Sequence, residues 1–193
     1  MDILSFLAEN FDLPILDWMA ANLQCGVLDF LMPLITVLGN GGIFWIAASL
    51  ALLCIPKYRK AGLGMAIALL IGVVLCNITL KPLIARIRPY DYQLQHFGKT
   101  IELLVATPHD FSFPSGHTIA SFEAAVALTF HHKKLGIVAL ILAALVAFSR
   151  LYLYVHYPTD VLASLVLGTM IALASCFLAE KLCAFLAKKF QKH

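Results

Sequence analysis

The feature that most constrains this chain is its succession of apolar runs. They lie at about 23–38, 42–55, 61–81, 116–130, 135–155 and 159–180, and few charges interrupt them. A hydrocarbon core of ~30 Å needs about 20 helical residues to cross it. The first two runs are short by that measure. The first is therefore expected to begin near Leu13, absorbing the end of an amphipathic stretch, residues 3–22, that carries Asp12, Asp17 and Trp18. The chain is 61% hydrophobic and 13% charged, with a mean hydropathy of +0.88, and one small soluble core cannot absorb so much apolar surface. The expectation is an all-α fold: a six-transmembrane-helix bundle with an N-terminal interfacial segment, making a single membrane-embedded domain over 1–193. Gly39-Asn40-Gly41-Gly42 reads as a tight turn between the first two helices. The first twelve residues hold Asp2, Glu9 and Asp12 but no Lys or Arg, so no signal peptide is read there. The five cysteines show no C-x-x-C spacing and read as buried small hydrophobes.

Charge orients the segments. Lys57, Arg59, Lys60, Lys133, Lys134, Lys181, Lys188, Lys189 and Lys192 all fall on one face if the chain crosses six times, and the positive-inside rule makes that face cytoplasmic, with both termini. Lys81, Arg86, Arg88, Lys99 and Arg150 fall on the other face, as does the loop 90–113 between the third and fourth helices. Basic residues against the rule call for a function. A net charge of +3 gives no argument for nucleic acid.

Three segments bring polar chemistry to that outer face. Lys81 and Arg88 are seven apart, so a continuous helix would put them on one side. Two cations suit a phosphate, a point charge beside a bidentate fork, although snorkelling alone places long basic chains at helix ends. Pro114-Ser115-Gly116-His117 opens the fourth helix. Ser115 can cap it, Gly116 lets a ligand approach the backbone, and a helix N-terminus is an anion site; an ordinary cap with an interfacial histidine has the same sequence. Ser149-Arg150 and His156-Tyr157-Pro158-Thr159-Asp160 span the fifth and sixth helices. Asp160 is near enough to accept from Nδ1 of His156, leaving Nε2 free to attack, or else the pair merely closes a loop. Together they gather three cations, two histidines, an aspartate and a helix N-terminus at one face.

Lys81-x6-Arg88-Pro89, Pro114-Ser115-Gly116-His117 and Ser149-Arg150-x5-His156-x3-Asp160, in that order, resemble the tripartite signature of the type 2 phosphatidic acid phosphatase superfamily. The resemblance implies a nucleophilic His156 oriented by Asp160 and a general acid, His117. It also implies a phosphate clamp of Lys81, Arg88 and Arg150, assisted by Ser115 and the Gly116 N–H. Fixed cations then do what Mg²⁺ does elsewhere, so no metal and no other cofactor is expected. Vanadium-dependent haloperoxidases share the anion pocket but are soluble. A transporter or lipid-binding protein holding an anion without chemistry is the rival from another class.

The implied substrate is a lipid phosphate or diphosphate in the membrane, undecaprenyl diphosphate ranked just ahead of phosphatidylglycerophosphate and phosphatidate. The oligomeric state is left open. Weaker candidates are Asn77, one turn before Lys81, and Asp29 and Glu123 within apolar runs. His96 and His109 lie in the outer loop; His131 and His132 are expected to be solvated at the cytoplasmic face.

Overall fold

The computed structural model describes residues 3–190. Asp2 and Lys192 lie outside the described residues, as does the side chain of Lys189. The described chain is helical with no strand. An N-terminal rod comprises α1 (Ile3–Leu7), a π-helical turn over Ala8–Asp12 and α2 (Leu13–Leu23). Pro14 stands in the first turn of α2 and has no N–H to donate, and the wide turn before it absorbs that loss. Leu13, Leu16 and Met19 face inward while Trp18 faces outward.

The rod does not run into the first apolar helix as expected. Gln24 and Cys25 are extended, and α3 (Gly26–Val37) starts afresh. Then come α4 (Ile43–Cys54) and α5 (Arg59–Gly72), which continues through a π-helical stretch, Val73–Leu80, into α6 (Lys81–Ile84). This second π segment also precedes a proline, Pro82. The helix α7 (Pro89–Phe97) lies in the expected outer loop; α8 (Gly116–His131), α9 (Lys133–Tyr152) and α10 (Pro158–Phe190) complete the chain.

Helices α5, α8, α9 and α10 form the centre of the bundle, with α4 against α5 and α8. Small residues let them approach: Ser49 Oγ donates to Gly62 O at 2.8 Å, and a Cβ on Gly62 would stand 2.7 Å from Leu53 N. Trp45 donates to Ser121 Oγ across α4 and α8. Large apolar side chains cover the outside, among them Leu70, Val74, Ile141 and Met170, a belt suited to lipid. Among the described residues, three stretches are long and apolar enough to cross a membrane: Pro56–Phe97, Lys133–Tyr152 and Pro158–Phe185. The pair Gly26–Val37 and Asn40–Cys54, bent by 41°, makes a fourth if taken as one span. The difference from six lies in length. Helices α3 and α4 have 12 residues each and α8 has 16, or roughly 18 and 24 Å at 1.5 Å per residue.

Of the cysteines only Cys76 and Cys176 are buried; all five are free, with Cys25 and Cys54 exposed. Asp29 is paired, accepting from the Tyr152 hydroxyl at 2.6 Å. His131 and His132 are half-buried rather than solvated, and His132 packs edge-on against Tyr58.

Candidate active site

Helix breaks build the site. After α6 the chain turns at Ala85, which takes a left-handed conformation (φ 48°, ψ 37°), and runs extended to Arg88. Lys81 and Arg88 are therefore not on one continuous helix. They converge because the break folds Arg88 back: Lys81 Nζ and Arg88 Nη2 each approach a carboxylate oxygen of Asp110 at 2.5 Å, and Arg88 Nε donates to Asp110 O. Asp110 belongs to the loop 98–115, which Tyr90 ties down through Pro108 O. Burial pushes its carboxyl up, but the two cations prevail and hold it well below the usual carboxylate range.

His156 lies between α9 and α10 in the buried segment 153–157. Arg88 Nη1 donates to Val155 O at 2.6 Å and faces His156 Nε2 at 3.3 Å. Arg has no acceptor, so Nε2 presents a lone pair and the proton sits on Nδ1. Burial first, then Arg88, Arg150 and Lys81, hold its basicity well below the ordinary histidine value. The expected Nδ1–Asp160 hydrogen bond is not made; the two are 3.7 Å apart and Nδ1 has no partner. Asp160 instead accepts from Arg86 Nη1, Ser112 Oγ and the Tyr157 N–H.

His117 stands in the first turn of α8 and donates through Nε2 to Asn40 Oδ1 at 2.8 Å. The 39–42 turn is thus part of the site. A Cβ on Gly39 would sit 2.6 Å from the His117 ring, while Gly41 and Gly42 supply the left-handed backbone (φ 57° and 67°). Arg150 donates to Thr36 Oγ1 and leaves Nε unpartnered.

A cavity of about 1090 Å³ takes Lys81, Arg88, Arg150, Gly116, His117 and His156 into its wall, and continues between Ile46, Leu50, Leu70 and Val73. Both Asn77 and Glu123 line it. Asn77 rests against Gly116, whose absent Cβ would be 3.0 Å from Oδ1. Buried Glu123 leaves Oε2 without a partner, and only a glycine at 72 makes room for it. His109 is on the cavity rim, whereas His96 stacks on Tyr92. Two expected residues stay out of the wall. Ser115 is fully buried, capping α8 with its Oγ and donating its N–H to Ser164, and Asp160 stands behind His156.

Sequence reasoning passed over Asp110, Arg86, Asn40 and Ser112. Arg86 had shown itself as a cation on the wrong face; nothing near the motifs marked the others. Among the described residues no three His, Cys, Asp or Glu side chains group as metal ligands.

Residues 57–182 match the family described as the PAP2 superfamily. The chain is 34% identical over 153 residues to an undecaprenyl-diphosphatase of Sulfolobus acidocaldarius, covering 79% of this chain and 71% of that protein. It is 34% identical over 158 residues to phosphatidylglycerophosphatase B of Bacillus subtilis, covering 76% and 66%. A crystal structure of a PAP2-type phosphatidylglycerolphosphate phosphatase from Bacillus subtilis superposes with a TM-score of 0.70 at 29% identity, over 92% of this chain and 90% of that one.

Proposed function

Because the chain belongs to the PAP2 superfamily and superposes on a transmembrane phosphatase of PAP2 type, we propose that this cavity is a phosphoryl-transfer site with His156 as nucleophile. Nε2 attacks phosphorus, the bond to the leaving oxygen breaks, and His117 gives that oxygen a proton. His117 then takes a proton from the water that hydrolyses the phosphohistidine. Lys81, Arg88 and Arg150 hold the phosphoryl oxygens with the Gly116 N–H. Ser115 serves by fixing where α8 begins, and Asp160 by its charge behind the imidazole. The observation that carries this reading is the His156 lone pair, which points at an arginine in a cavity wall holding three cations.

The substrate is a membrane lipid whose apolar chain lies against Ile46, Leu50 and Leu70 while its headgroup meets the cations. Undecaprenyl diphosphate is the first choice, and phosphatidylglycerophosphate or phosphatidate the second. The bundle is one domain of six membrane segments, three of them short. Both termini are cytoplasmic and the site is extracytoplasmic in the cell membrane, since Lys57, Arg59, Lys60, Lys133 and Lys134 cluster at the far ends of the helices that carry the site.

The test is phosphate release from each of these lipids by purified protein in detergent, before and after exhaustive chelation. Release that survives chelation and is abolished in His156→Ala is expected. No release from any lipid would leave an anion-binding membrane protein, and release that needs added Mg²⁺ or Zn²⁺ would overturn the metal-free clamp.

A further inference from the structure

The N-terminal rod lies outside the matched residues 57–182, yet it sends one side chain to the back of the site. Asp12, at the end of the first π-helical turn, is fully buried. Its Oδ2 accepts from Arg86 Nη2 and from Thr159 Oγ1, each at 2.7 Å, and its Oδ1 accepts from the Thr159 N–H at 2.9 Å. Arg86 spends its other terminal nitrogen on Asp160 Oδ1 and on Thr159 Oγ1, and its Cζ stands over the Tyr157 ring, 3.8 Å from the centroid. Apart from the bond between Asp12 and Arg86, every one of these hydrogen bonds ends on the segment carrying Asp160.

We propose that Asp12 is a positioning residue for the nucleophile, holding Arg86 so that Asp160 keeps its place and its negative charge behind His156. The proposal rests on the reading of His156 as nucleophile. Its physics is a charge count. With Asp12, the buried trio Asp12–Arg86–Asp160 is net negative by one. Without it, Arg86 neutralises Asp160, and the imidazole faces Arg88, Arg150 and Lys81 with less opposing charge. His156 must become cationic when it carries a phosphoryl group, so that loss falls on the chemical step more than on binding. The other groups facing the trio and the ring are Asp110 from the loop, His117 from α8, Ser112 beside Asp160, and Tyr92 near Tyr157. None of them supplies the missing charge: Asp110 is held by Lys81 and Arg88.

The experiment compares pH profiles of phosphate release for the wild type, Asp12→Asn, Asp12→Glu and Thr159→Val. In the wild type the acid limb of kcat/KM, which on this reading reports protonation of His156, is expected below the ordinary histidine range, because His156 is buried beside three cations. Asp12→Asn is expected to lower kcat about tenfold with KM little changed, and to move the limb down by about half a pH unit, since removing a negative charge makes His156 harder to protonate. Asp12→Glu restores the charge, and with it the limb and most of kcat. Thr159→Val removes the Oγ1 bonds to Asp12 and from Arg86 but no charge, and kcat falls roughly threefold with the limb unmoved.

Limb position and KM do not depend on how much of a preparation is folded, so a partly inactive sample still decides. An unmoved limb in Asp12→Asn would make Asp12 merely structural and overturn the proposal. If Asp12→Asn does not accumulate, an unchanged kcat in Thr159→Val overturns it instead. Turnover retained in His156→Ala would sink the underlying reading rather than this one.

Discussion

Asp160 and Asp110 each take hydrogen bonds from an arginine of the same short break, Arg86 for one and Arg88 for the other, but their surroundings differ. Asp160 is fully buried, and every contact around it is internal: Arg86, Ser112 and the Tyr157 N–H, with Asp12 on the far side of the guanidinium. Asp110 is 54% exposed and sits at the cavity with Lys81 and Arg88. A buried ion cluster keeps one geometry because each member strands the others if it leaves. A half-exposed carboxylate on two cations can be exchanged for another anion at modest cost. The rear of the site is thus a fixed frame behind His156. Its front is a cradle that already fits an anion with two cations around it.

The largest contrast to break is between the histidines that this frame divides. On the proposed mechanism His156 has no substitute, so His156→Ala should abolish turnover and leave no phosphoenzyme. In the proposed mechanism His117, held by Asn40 on the other wall, acts on the leaving oxygen and then on water. In His117→Ala a diphosphate should still phosphorylate His156, because its leaving group needs less help, and the intermediate should then decay slowly. Rapid-quench labelling with a radiolabelled diphosphate lipid is expected to show acid-labile, base-stable label in wild type and His117→Ala. Label persisting in His156→Ala would mean that another residue attacks.

Next in size is the stability of the rear frame. Arg86→Leu leaves Asp12 and Asp160 buried without their counter-ion, a loss of about 3–5 kcal/mol, or about 10 °C in Tm for a chain of this length. The comparison fails if Tm moves no more than it does for a substitution at the exposed Lys99.

The front and rear also differ in how legible they were. The three motifs carried His117, His156, Lys81, Arg88 and Arg150 to one cavity, because each lies beside a helix end and helix ends show in a sequence as Pro, Gly and Ser among apolar runs. What joins them did not show. Asp110 and Ser112 lie in a loop with no period to read. Asn40 sat in a turn legible only as a turn, and Asp12 in a rod legible only as amphipathic. Pairings across 74 residues, such as Arg86 to Asp12, leave no local trace in one chain. The break at Ala85 was hidden for another reason: alanine favours helix, so a left-handed alanine is imposed by the two arginines after it. Arg86 and Arg88 are pulled to opposite carboxylates, and no continuous helix aims them both ways. Helix length was also out of reach of composition: the apolar runs that become α3 and α4 fold as helices of only 12 residues each.

The smallest effect should appear at Asp110, and it has the opposite sign. If phosphate takes the place of this carboxylate on Lys81 and Arg88, then every substrate or inhibitor must first displace it. In Asp110→Asn the amide is a weaker competitor, and both cations turn to the ligand. Vanadate and inorganic phosphate should then inhibit about tenfold more tightly, a gain of about 1.4 kcal/mol. Product phosphate should leave more slowly for the same reason, so kcat falls slightly even as binding tightens. Inhibition constants measured side by side for wild type and Asp110→Asn decide the matter. Weaker vanadate binding in the variant would mean that Asp110 positions Lys81 and Arg88 for the phosphate instead of competing with it, and the front of the site would then be a fixed frame like the rear.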